Sequence, residues 1–145
     1  MDIEKFTITK DVNFPRKYIL VIEDVLGNQG IFYHVLFSIF GWGGFNNIRF
    51  NFLSSCIDAA VLIESSHQIP DLIILDHDMH FGWGSELLDI IKEKHLSIPI
   101  ITASGRPEAN QLMMEKGASY HFHKEQIFHG QANELIKRII MADTD

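Results

Sequence analysis

The chain has 145 residues, with 12 Lys and Arg against 19 Asp and Glu, for a formal net charge of −7. That charge argues against a surface that holds nucleic acid by neutralising phosphates, and it suits a site that wants a cation. Cys56 is the single cysteine, which excludes an internal disulfide and a cysteine-based metal cluster and fits a reducing compartment.

No apolar run approaches the ~20 residues that cross a bilayer. Asp2, Glu4 and Lys5 interrupt the N-terminus, so it lacks the core of a signal peptide. A cytoplasmic protein without a membrane segment is expected. Residues 1–16 show no clear periodicity and read as an extension, with a short strand at Phe6 to Thr9 as its one candidate element. Residues 17–145 are long enough for one domain with a sizeable core.

Tyr18-Ile19-Leu20-Val21-Ile22 reads as a strand buried on both faces, and it ends in Glu23-Asp24. Ile31, Phe32, Val35, Leu36, Ile39 and Phe40 recur at helical spacing, predicting a helix over 30–40 that Gly41-Trp42-Gly43-Gly44 terminates. A glycine-rich loop after a helix is in the wrong order to cradle phosphate. Ile48 to Phe52 alternates apolar and polar residues, as a half-buried strand near a sheet edge does. Ser55, with Asp58 three residues on, is a weak capping box for a helix over 57–66.

Leu72-Ile73-Ile74-Leu75 carries no helical periodicity and reads as the central parallel strand, followed by Asp76-His77-Asp78-Met79. Gly84 and Ser85 lead into a helix through Leu87, Leu88 and Ile91. A fourth strand over 98–103 ends in Ser104-Gly105-Arg106, and Pro107 opens a helix over 107–116. Residues 119–123 form a short fifth strand, with Lys124 at its end. Ala132, Leu135, Ile136, Ile139 and Ile140 mark a last amphipathic helix over 131–141. Five strands alternating with five helices mean an α/β fold, a parallel sheet covered on both faces.

In such a sheet the strand ends share one edge, where open α/β folds keep their chemistry. Glu23, Asp24, Asp76, Ser104 and Lys124 therefore converge. Carboxylates ~5 Å apart repel by roughly 3 kcal/mol per pair at an effective dielectric near 20. The Lys124 ammonium offsets part of that, and a hard divalent cation would offset more, Asp and Glu oxygens being the ligands Mg²⁺ prefers. A carboxylate beside a cation and an ammonium is an ionised nucleophile with a charge clamp for a phosphoryl group. Histidine-based zinc binding is the weaker reading, since His121 with His123, and His77 with His80, each supply only two ligands.

These segments resemble the receiver domain of bacterial two-component response regulators. The resemblance rests on Ile19 to Asp24, on Asp71 to Met79 with Gly84, on Ile98 through Gly105, and on Gly117-Ala118 through Lys124. It implies a stand-alone receiver with a doubly wound, flavodoxin-like sheet of order 2-1-3-4-5. It further implies that Asp76 accepts a phosphoryl group from a histidine kinase or phosphotransfer protein, with Mg²⁺ (or Mn²⁺) as cofactor. Asp24 and Asp76 would bind the metal, Glu23 would act through a metal-bound water, and Asp78 would offer its backbone carbonyl. Ser104 and Lys124 would contact the phosphoryl group, with Gly105 and Arg106 beside it. His121 holds the aromatic switch position. Self-phosphorylation from small phosphodonors and slow autodephosphorylation are expected, rather than enzymatic turnover.

Departures from the family pattern are specific. His80 stands where a Pro usually follows the Met, and Glu125 where a Pro usually follows the Lys, so the customary cis bond is not expected. His121 replaces Tyr or Phe, and imidazole titrates near neutrality, so pH-sensitive switching is expected. Only Asp143-Thr144-Asp145 follow the last helix, so output is expected through a protein contact on the face of helix four, strand five and helix five, with a homodimer also open. Two other readings compete. Asp76-His77-Asp78 matches the Asp-x-Asp motif of haloacid dehalogenase-like phosphatases, though their acidic pair lies downstream and they usually carry a cap domain. A pseudo-receiver that binds partners without phosphorylation is the other.

Overall fold

The computed structural model describes residues 17–44, 48–65, 69–76 and 84–142. The elements run β1 (Lys17–Ile22), α1 (Leu26–Gly44), β2 (Ile48–Leu53), α2 (Cys56–Ser65), β3 (Leu72–Asp76) and α3 (Gly84–Glu93). They continue with β4 (Ile100–Ala103), α4 (Pro107–Glu115), β5 (Tyr120–Phe122), α5 (Lys124–Phe128) and α6 (Asn133–Met141). The five strands form one sheet of order β2-β1-β3-β4-β5, and every adjacent pair is parallel. The expected extension over 1–16 and the acidic-loop residues His77, Asp78 and His80 lie outside the described residues.

Alternation along the strands splits the core in two. Tyr18, Leu20, Ile22, Ile73, Leu75 and Ile100 face α2 and α3, meeting Ala59, Ile63, Leu87, Leu88 and Ile91. Ile19, Val21, Leu72, Ile74 and Ile101 face the opposite layer, where Phe32 and Leu36 of α1, Ile127 of α5 and Ile136 and Ile140 of α6 cover them. Each central strand is buried on both faces because the period-2 side-chain alternation serves both layers with apolar residues. Among the described residues β2 pairs with β1 alone, and it exposes Arg49, as an edge strand does.

The sheet agrees with the expected order, and the helix count does not. Six helices are present among the described residues, because the segment after β5 coils into α5 before α6 begins. A five-residue helix that buries one residue, Ile127, leaves no apolar period to read. Several boundaries also differ, among them the starts of α1, β4 and α6. α1 begins at Leu26 rather than at Gly30, and its regular helix breaks at Gly41, where φ is 60°. β4 starts at Ile100, so Pro99 stands just outside the strand, where its missing N–H costs nothing.

Candidate functional site

Glu23 and Asp24 follow β1, and Asp76 is the last residue of β3, the strand paired with β1. One carboxylate oxygen from each lies within 4.8 Å of the others. Glu23 and Asp76 are buried and Asp24 is half-buried. Adjacent strand residues face opposite ways, so Glu23 and Asp24 share a site only because β1 has ended at Ile22. Lys124, the first residue of α5, closes the cluster. Its Nζ stands 2.9 Å from Asp76 Oδ2 and 3.3 Å from Glu23 Oε1.

Local contacts hold Glu23 in place. Val25 N–H donates to Glu23 Oε2 at 3.2 Å, and the Gln29 amide of α1 donates to the Glu23 carbonyl at 2.6 Å. Glu23 Oε1 is buried without a hydrogen-bond donor, facing the ammonium as an ion pair. Burial first, then the hydrogen bond and charge of Asp76, push the Glu23 carboxyl up to about 7. Burial also works against the Lys124 ammonium, but Asp76 and then Glu23 outweigh it and raise its pKa above the ordinary lysine value. Lys124 thus stays charged throughout the physiological range.

Ser104 is buried one residue beyond Ala103, the β4 residue that pairs with Asp76. Its Oγ accepts from Arg106 N–H at 3.0 Å, which turns the loop toward Pro107. Gly105 and Arg106 are exposed beside it. His121 is exposed on β5, opposite Thr102 in register. Asp78, expected to lend a carbonyl to a metal, lies outside the described residues.

Sequence reasoning missed two supports. His123 caps α5: its Nδ1 accepts from Glu125 N–H at 3.1 Å, while Gln126 Oε1 accepts from His123 N–H at 2.8 Å. The reciprocal pair is a capping box with His in the Ser or Thr position, and the His-x-x-Gln spacing was its one visible signal. This helix start holds Lys124, and among the described residues no peptide bond is cis. Asn110 of α4 is the second support, and no periodicity announces it. Cys56 lies at the start of α2 beneath the cluster; burial, with the charges of Asp76 and Glu86, pushes its thiol up to about 12, leaving it an inert thiol.

The donor set fits a hard divalent cation. All the ligand atoms are carboxylate oxygens, one buried oxygen has no hydrogen bond, and the cluster carries more negative than positive charge. Among the described residues this is the one cluster of three His, Cys, Asp or Glu side chains so closely placed.

No family model matches the chain, and no curated protein matches it in sequence. Solved structures match it along most of its length. The phosphorylated cyanobacterial phytochrome response regulator RcpA superposes with a TM-score of 0.71 at 17% identity, covering 88% of this chain and 95% of that one. The receiver domain of a sensor histidine kinase from Pseudomonas aeruginosa PAO1, with a magnesium ion in its active-site cleft, gives 0.68 at 19% identity, covering 86% and 98%. The Mn²⁺-bound response regulator Rcp1 gives 0.67 at 18% identity, covering 88% and 97%. The chain has the response-regulator receiver fold.

Proposed function

We propose that the chain is a phosphorylation switch in two-component signalling, with Asp76 as the phosphoacceptor. The observation that carries this reading is the meeting of Glu23, Asp24 and Asp76 within 4.8 Å, with Lys124 at 2.9 Å from Asp76. Asp24 and Asp76 would hold Mg²⁺ directly and Glu23 through water; when bound, the cation neutralises charge on a phosphoryl group. An Asp76 carboxylate oxygen attacks phosphorus, the bond from phosphorus to the donor's imidazole nitrogen or acyl oxygen breaks, and the leaving group keeps the electron pair. An acyl phosphate results. The Lys124 ammonium balances charge on the phosphoryl oxygens, and the Ser104 hydroxyl can donate to one of them.

The donor in this reading is a histidine kinase or phosphotransfer protein, and the output is a protein contact. Leu112 on α4, Tyr120 on β5 and Met141 on α6 are exposed apolar side chains that support the expected output face. That face is the one foreseen from helix four, strand five and helix five, its last helix being α6. A stabilised alternative conformation there would be favoured by phosphorylation through differential affinity.

Incubation with acetyl phosphate and Mg²⁺ tests the reading. Wild type should gain one phosphate in a single turnover, and Asp76→Asn should gain none. Labelling of both proteins, or of neither, would defeat it. Steady hydrolysis of a generic phosphate ester would instead favour the phosphatase reading.

A further inference from the structure

Asn110 is a polar residue in the buried face of α4, 5% exposed, between Ala109 and Met113. An apolar side chain would fill that place without the desolvation cost an amide carries. The amide instead uses both of its N–H donors and its oxygen. Its Oδ1 accepts from Thr102 Oγ1 at 3.2 Å, and its Nδ2 donates to the Phe122 carbonyl at 2.9 Å and to the Ser104 carbonyl at 3.4 Å. Ser104 N–H donates to the same Phe122 carbonyl at 3.3 Å. One helical side chain therefore joins β4, the loop that carries Ser104, and the strand that leads into Lys124.

We infer that Asn110 is a positioning residue that couples the place of Ser104 to the orientation of helix α4. The inference rests on the reading of Asp76 as phosphoacceptor and goes beyond it. Its bond to Ser104 is the long one, near the limit of hydrogen-bond geometry, so a small shift of the loop makes or breaks it. Its bond to Phe122 is short and stays. A phosphoryl group on Asp76 that draws the Ser104 hydroxyl inward moves the Ser104 carbonyl as well. Asn110 then exchanges one partner while anchored by another, and α4 follows. Packed cores switch between discrete arrangements rather than deforming continuously, so a small shift at Ser104 can be passed on as a change in α4.

The test uses the full chain with Mg²⁺ and beryllofluoride, a mimic of the acyl phosphate. Fluorine NMR reports whether the mimic binds, and amide hydrogen exchange over residues 107–116 reports α4. In wild type, binding should change exchange there by about fivefold or more, the lower range of allosteric coupling. Asn110→Leu keeps bulk and removes all three bonds. It should bind the mimic with an unchanged fluorine signal, yet show a change in α4 of less than about twofold. Asn110→Ala gives the same comparison should Leu prevent folding. A merely structural Asn110 would lower the melting temperature and leave the mimic-dependent change intact. Variants that bind the mimic and retain the full response overturn the inference alone, as does a wild type that binds it with no response in α4. A wild type that does not bind the mimic defeats the phosphoacceptor reading, and the inference with it.

Discussion

Lys124 Nζ bonds Asp76 Oδ2 at 2.9 Å across 48 residues of sequence, which ties the start of α5 to the end of β3. The same ammonium is 3.3 Å from Glu23, so one cation serves two buried carboxylates. Replacing it leaves their charge uncompensated. Lys124→Ala should lose on the order of 2 kcal/mol without Mg²⁺, less than a fully buried pair because the ammonium is part-exposed and Glu23 can take up a proton. The variant should also bind Mg²⁺ more tightly, by up to about tenfold, since the ammonium no longer repels the ion. Calorimetric titration with Mg²⁺ and urea unfolding check both; a variant that binds Mg²⁺ more weakly than wild type would contradict the geometry.

The raised Glu23 carboxyl makes stability fall with pH. Its ordinary value is 4.5, and burial followed by Asp76 lifts it to about 7 in the folded chain. Between those values the folded state holds more proton than the unfolded one, so the slope of stability against pH is negative. The favourable contribution is complete below pH 4.5 and is lost as pH rises through about 7. Glu23→Gln should abolish this slope and melt above wild type at pH 8 without Mg²⁺, the two converging near pH 5. Mg²⁺ competes with that proton, so wild-type affinity for the ion should rise as pH passes about 7. Melting curves from pH 5 to 8, with and without Mg²⁺, decide it.

The two kinds of site information were unequally visible before the structure. Strands β1 and β3 announce themselves because Ile19 to Ile22 and Leu72 to Leu75 are buried on both faces, and such runs have no helical reading. The carboxylates and Lys124 could be brought together from the alternation of elements alone, because parallel strands end on a common edge. The supports could not. Asn110 acts through backbone carbonyls at Ser104 and Phe122, whose position depends on how α4 lies against β5. α5 was hidden for a different reason: one buried side chain, Ile127, makes no period.

His123 holds the first turn of a helix too short to sustain itself. Its ring accepts from Glu125 N–H, immediately after Lys124. Removing that acceptor with His123→Ala should cost about 1 kcal/mol, the usual worth of an N-cap. His123→Asn keeps an acceptor in the same place and should recover most of it. Since α5 carries Lys124, the Ala variant should also label more slowly with acetyl phosphate, and the Asn variant should not. Equal labelling rates in all three proteins would show that the cap does not position the ammonium.

Gly105 and Gly117 provide a paired test of the loops on either side of α4. A Cβ added at Gly105 would meet the His123 ring at 3.8 Å, ordinary contact, and its φ lies outside the left-handed region. Gly105→Ala should therefore be neutral or stabilising by up to about 1 kcal/mol, through the narrower unfolded ensemble, and should leave labelling of Asp76 intact. Gly117 has φ of 112° at the end of α4, a backbone state that L side chains rarely adopt. No atom crowds it, so conformation alone decides: Gly117→Ala should cost about 1–2 kcal/mol. Urea denaturation of both variants separates the cases. A Gly105→Ala protein that unfolds as readily as Gly117→Ala would mean that the loop after Ser104 needs a backbone freedom that its geometry does not require.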